Sequence, residues 1–187
     1  MLLDVAQVGK STLRDTAKKV TVSNIKAGKT QQLIDLMIAT LRAKPGVGLA
    51  APQVGEPLRI IIVEDKKQYQ DNVPKELLAY QKRKPVKLHA IVNPEIEIID
   101  AAKEHLFEGC LSIAGYRAVV PRAKTIRVSG LDRNGKPIIQ YEVDHLNGKL
   151  YIDIMHPKSF ISEKSFSDNW AKATPEKLSS YIKGTCN

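Results

Sequence analysis

Three short segments carry residue types that can do chemistry. In Gly46-Val47-Gly48-Leu49-Ala50-Ala51-Pro52-Gln53, glycines and small residues let the backbone approach a ligand or another strand closely. Gln53 adds an amide N–H donor able to face a developing oxyanion. The GxGxxG register and a following helical pattern are both missing, so a dinucleotide site is not expected. In Glu108-Gly109-Cys110-Leu111-Ser112, a cysteine stands between a carboxylate and a serine. Such a thiol serves as a buried small apolar group, as a nucleophile or, as thiolate, as a metal ligand, and the adjoining residues do not choose among these. In Gln140-Tyr141-Glu142-Val143-Asp144-His145, a Glu-x-x-His spacing on a helix puts carboxylate and imidazole on adjacent turns of one face. The metalloprotease form of that unit is His-Glu-x-x-His, with two metal-binding imidazoles and the glutamate as general base. Here Tyr141 holds the first histidine position.

The elements that must position these segments follow from periodicity. Residues 30–44 (TQQLIDLMIATLRAK) space Leu33, Leu36, Met37, Ala39 and Leu41 mostly three or four apart, which predicts an amphipathic helix capped by Thr30 and stopped by Pro45-Gly46. The β-branched run within residues 59–65 predicts a strand. Residues 66–87 are polar, carry Pro74 and Pro85, and form an expected insertion loop with a helical turn at 75–80. Strands are expected at 90–92 and 95–100, on either side of an Asn93-Pro94 break. Further strands are expected at 118–120 and 125–130, ending in the Asp132-Arg133-Asn134-Gly135 turn. Residues 143–150 predict a short helix terminated by Asn147-Gly148. A polar tail is expected from about residue 157. The order points to one α+β domain over residues 1–187, with helices on a mainly antiparallel sheet.

Composition narrows the class without naming a function. With 187 residues, 43% hydrophobic and 26% charged, the chain has the make-up of one globular domain rather than a disordered tail. No apolar run approaches the roughly 20 residues of a spanning helix, so no membrane role is expected. Two cysteines cannot form a disulfide framework, and a reducing compartment is the natural expectation. The opening MLLDVAQVGK lacks the basic-then-apolar layout of a secretory signal, and no mitochondrial presequence is visible. Lys and Arg exceed Asp and Glu by 29 to 20, a net charge of +9, yet only 5% of residues are aromatic and the basic groups are scattered. Specific DNA binding is therefore not expected. The patches Lys66-Lys67 and Lys82-Arg83-Lys84 are either a solvated surface or a weak electrostatic handle for an RNA-rich partner such as a ribosome.

Taken in order, the three segments resemble the three signature motifs of the peptide deformylases, whose third motif reads Gln-His-Glu-x-x-His. The likeness extends to Gln7-Val8-Gly9, Asn93-Pro94, Val120-Pro121-Arg122, Gly130-Leu131-Asp132 and Asp144-His145-Leu146-Asn147-Gly148. The insertion and the Tyr151–His156 stretch are most similar to the animal mitochondrial branch. The resemblance implies antiparallel sheets packed around a central motif-bearing helix. It implies that Cys110 and His145 hold one divalent metal, iron(II) or zinc, with Glu142 as general base and acid. Gln53 and the Leu111 backbone N–H would be the oxyanion donors. Gly48 would line the substrate, Arg117 would hold the nascent peptide, and Glu108 with Arg122 would form an ion pair beneath the cysteine loop. The reaction implied is removal of formyl from the N-terminal formyl-methionine of nascent chains, in mitochondria by kinship or in the cytoplasm on the missing presequence.

The chain departs from the family pattern at two places. Tyr141 stands where the second imidazole ligand belongs, and a neutral phenol with a pKa near 10 is a poor ligand at pH 7. Of the other histidines, His89, His105 and His156 are the candidates to replace it. Between Gly130-Leu131-Asp132 and the third motif, roughly ten residues are missing, about one strand and a turn. These departures set a second expectation beside the enzyme: a catalytically degenerate relative that keeps a peptide-binding or interaction surface. A general zinc protease has only the Glu142–His145 pair behind it.

Overall fold

A short helix, α1 (Val22–Ile25), precedes the main helix α2 (Gly28–Arg42) in the computed structural model, which describes residues 2–139 and 149–186. Helix α2 begins before Thr30, which lies buried within its first turn rather than capping it. The helix forms without a side-chain cap because its apolar stripe is covered. Ile34, Met37 and Leu41 are at most 2% exposed, and such packing outweighs end effects in a 15-residue helix.

The sheet is antiparallel throughout its main path: β1 (Gly48–Ala50), β2 (Ile60–Asp65), β3 (Val86–Cys110), β4 (Ile113–Leu131) and β5 (Pro137–Ile139), in that spatial order. A sixth strand, β6 (Ile161–Ser162), pairs with β4 at Tyr116 and Arg117. With its helices, the chain has the α+β class expected. Strand β2 is buried on both faces. Ile60 and Ile62 meet α2 with Leu49 and Val92, while Ile61 and Val63 pack with Ala50, Ile91 and Val128 on the other side. This is the period-two alternation of a strand with two covered faces.

Two expected interruptions are absent. The Asn93-Pro94 break is a register shift inside one continuous strand, and the two strand candidates at 118–130 are also one. Asn93 absorbs the irregularity: its φ is 53°, and its amide accepts from Val20 N at 2.8 Å and donates to Val20 O at 2.7 Å, replacing a strand neighbour. Gly130 lies opposite this kink, where a β-carbon would come within 2.7 Å of Ile91 Cγ2. Beyond residue 92, β3 pairs only with β4 among the described residues.

The insertion contains the expected turn as helix α3 (Lys75–Tyr80) and is tied to the body by Asp65. That buried carboxylate accepts from Arg83 Nε at 2.8 Å, Arg83 Nη2 at 3.0 Å and Gln70 Nε2 at 2.9 Å. The expected polar tail is instead helices α4 (Glu163–Asn169) and α5 (Pro175–Cys186). Leu178 and Ile182, four apart, bury against Leu77 and Val119, and Phe107 meets Phe166, Trp170 and Tyr181. Among the described residues no helix is long and apolar enough to cross a membrane. The helix expected at 143–150, and with it the central motif-bearing helix, falls mainly outside the described residues. Leu150, which is described, precedes a single 3-10 turn at Tyr151–Asp153.

Candidate active site

The long hairpin of β3 and β4 closes on two residues, Leu111 and Ser112, with Cys110 paired to Ile113 across the end. So tight a turn folds the backbone over the thiol: Ser112 N donates to Cys110 Sγ at 3.3 Å. Burial pushes the Cys110 thiol pKa up, and the Ser112 N–H opposes that shift by favouring the thiolate.

The first segment meets this turn through Gln53. A 3-10 turn at Ala51–Val54 follows β1 directly and carries Gln53 inward until it is 1% exposed. Its Oε1 accepts from Ala50 N at 2.9 Å, fixing the amide's orientation. Nε2 then donates to Ser112 Oγ at 3.1 Å and stands 3.5 Å from Cys110 Sγ. Leu111 packs into the α2 core and against Gly46, where a β-carbon would meet Leu111 Cδ1 at 3.1 Å. Gly48 opens β1 opposite Val63.

The N-terminal segment laces the two motifs together. Ala6 N donates to Gln53 O and Val8 N to Ser112 O, each at 2.8 Å. The Gln7 side chain donates to Leu111 O at 3.0 Å and accepts from Ala114 N at 3.3 Å. Sequence reasoning noted Gln7 only as part of the likeness and assigned it no task. An amide serving three backbone groups, Val5 O at 3.2 Å among them, leaves no periodic trace.

Below the turn, Arg122 grips Glu108 with two bonds of 2.6 and 2.5 Å, the ion pair expected there. Arg117 lies opposite Gly109, one register step from Cys110. Its Nε donates to Glu163 at 2.6 Å, and its guanidinium sits 4.4 Å from the Phe166 ring centre. Glu163 and Phe166 were not anticipated, since they belong to the supposed tail. Tyr151, also unanticipated, is 4% exposed and packs with Ile113, Ala118 and Val120, the cluster against which Cys110 rests. Burial first, and then the nearby Cys110, pushes its phenol pKa up to about 12. Among the described residues its hydroxyl finds no hydrogen-bond partner.

Tyr141, Glu142 and His145 lie outside the described residues, and among those described no three His, Cys, Asp or Glu side chains gather as a metal site. The candidate replacement ligands sit elsewhere. His105 and His156 face one another with ring centres 5.1 Å apart, and His89 lines a groove with Ile38, Asp132 and Arg133. Burial, and then His156, lowers the His105 pKa.

A family model for polypeptide deformylases matches residues 2–160. The chain is 42% identical over 170 residues to peptide deformylase 1A, chloroplastic/mitochondrial, of Arabidopsis thaliana, covering 85% of this chain and 63% of that protein. It therefore spans less than two thirds of that relative's length. It is 34% identical over 167 residues to the mitochondrial peptide deformylase of Homo sapiens, covering 83% of this chain and 69% of that one. Among solved structures, the Met-Ala-Ser-bound class I type b peptide deformylase of Acinetobacter baumannii superposes with a TM-score of 0.70. It is 30% identical, and the match covers 83% of this chain and 99% of that one.

Proposed function

The chain belongs to the polypeptide deformylase family, and from that membership we propose that it is a hydrolase removing the formyl group from the N-terminal formyl-methionine of newly made proteins. The observation that carries the reading is the buried Gln53 amide, oriented by Ala50 and delivered to the Cys110-Leu111-Ser112 turn. An amide so fixed is a preorganised donor, worth most when it need not reorganise as charge develops.

The family is one of metalloenzymes in general, and Cys110 suits such a role. Its sulfur takes the Ser112 N–H and faces the Gln53 amide, outer contacts that steady a thiolate. A thiolate with an imidazole is a donor set for iron(II) or zinc, so Cys110 and His145 would hold the ion, with Tyr141 at the third ligand position. When bound, the ion supplies Lewis-acid activation. The rest falls to this chain's own groups. Glu142 accepts a proton from the attacking water and returns it to the departing amine. The Gln53 Nε2–H and the Leu111 backbone N–H receive the oxyanion. The formyl C–N bond breaks, releasing formate and a free methionine amino group. Gly48 would line the peptide and Arg117 would hold it downstream; that the Acinetobacter relative was solved with Met-Ala-Ser bound supports peptide binding as such. Weak ribosome association would follow from the +9 charge. Kinship with mitochondrial and chloroplastic relatives supports an organelle, and we assign mitochondria.

Tyr141 favours a second reading, a non-catalytic relative that keeps the peptide groove, because two protein ligands hold metal weakly. Metal analysis of freshly purified protein beside a formyl-methionyl peptide assay separates the two. Stoichiometric metal with turnover supports the hydrolase. Neither metal nor turnover supports the groove alone.

A further inference from the structure

We propose that Glu163 sets the charge selectivity of the peptide groove by pairing with Arg117, the residue that holds the peptide. The inference rests on the reading that Arg117 holds the peptide.

Three features converge on one guanidinium. Strand β6 pairs Ile161 with Arg117 and Ser162 with Tyr116, laying the chain alongside β4. The Ser162 side chain then accepts from Ser165 N at 3.1 Å and starts α4, so Glu163 begins the helix beside Arg117. Glu163 takes Arg117 Nε at 2.6 Å, and Phe166, one turn on, lies under the guanidinium. Glu163 and Phe166 both stand past residue 160, where the family match ends. The contact is therefore made by the C-terminal segment, outside the stretch that carries the three motifs.

Its electrostatic consequence is direct. A cation already paired with a carboxylate presents almost no net charge, so a peptide acceptor arriving at Arg117 gains little. A negatively charged peptide also meets the Glu163 carboxylate itself. The groove therefore disfavours peptides with negative charge at this point. The pair is displaceable, since the two side chains are 32% and 49% exposed and an ion pair open to water holds weakly.

Calorimetric titration of the full chain with the tripeptide Met-Ala-Ser, and with its C-terminal amide, tests the assignment. The wild-type protein should bind the free carboxylate no better than the amide. Glu163→Gln should tighten binding of the free carboxylate about two- to fivefold, the factor an exposed ion pair supplies, and change the amide less. The gain should vanish when Arg117→Ala is added. A Glu163→Gln variant that binds the free carboxylate no more tightly than wild type overturns the inference, as does a gain that survives loss of Arg117. If neither peptide binds either protein, the peptide-groove reading falls, and the inference with it.

Discussion

Gln53 and Ser112, 59 residues apart in the chain, meet through a 3.1 Å hydrogen bond in which neither side chain is reached by solvent. Truncating Ser112 to alanine leaves one Gln53 N–H without its acceptor in a buried site, which costs about 1–3 kcal/mol. Urea unfolding of Ser112→Ala should show that loss. Because Ala50 still holds the amide oxygen, formyl-peptide turnover should fall less than in Gln53→Ala.

Stability should decline in acid partly through Glu64. Hydrogen bonds of 2.7 and 2.8 Å from Arg42 hold this carboxyl below its ordinary value of 4.5, against an opposing push from burial. A depressed carboxyl contributes stability that is complete above the unfolded-state value and is lost as pH falls through the folded one. Arg42→Ala strips the principal partner from Glu64 but leaves Lys66 at 3.8 Å, and with Arg42 itself 43% exposed the loss should be about 1–3 kcal/mol at pH 7. Denaturation series from pH 7 to pH 3 should show the gap between variant and wild type narrowing once Glu64 protonates in both.

Removing the Tyr151 hydroxyl should not harm the fold. It is buried without a hydrogen-bond partner among the described residues, so Tyr151→Phe sheds a desolvated polar group and leaves the ring packing intact. Thermal unfolding should place the variant level with wild type or up to about 1 kcal/mol above it. Spectroscopic titration should show that the variant lacks one tyrosine ionising near 12.

On the proposed ligand set, Tyr141→His places an imidazole at the third ligand position. Metal per chain after purification should rise towards one, because three protein ligands hold zinc or iron(II) far better than two. Should the content stay near zero by elemental analysis, the shortened segment before the third motif outweighs the tyrosine.

The parts of the fold legible in the sequence are those where one period dominates. The α2 stripe, the β-branched run of β2 and the helical turn at Lys75–Tyr80 each stand where pattern places them. Strands β3 and β4 were cut into pieces because proline and asparagine signal breaks. Only the partner Val20, distant in sequence, shows that Asn93 can bridge one. The C-terminal helices were masked by polar residues between widely spaced aromatics, whose common partner is Phe107 on another strand. Around the site, the three motifs were visible as residue types. The contacts made by Gln7, Ser112, Tyr151 and Glu163 were not, since each depends on a neighbour far away in the chain and on no repeat.

The reach of β3 past its β2 neighbour bears on handling the protein. Ile96, Ile98 and Ile99 stand 40%, 59% and 49% exposed along a strand flanked on one side only among the described residues, which is a template for sticky lateral growth. The carboxylates interleaved with them are paired, Glu95 with Lys19, Glu97 with Arg127 and Asp100 with Lys124. This edge therefore carries a row of exposed, hydrated ion pairs that another ribbon would have to strip of water. That safeguard is ionic and is backed by the net charge of +9 that keeps copies apart, so concentrated stocks should stay clear in dilute neutral buffer and turn turbid when salt screens both.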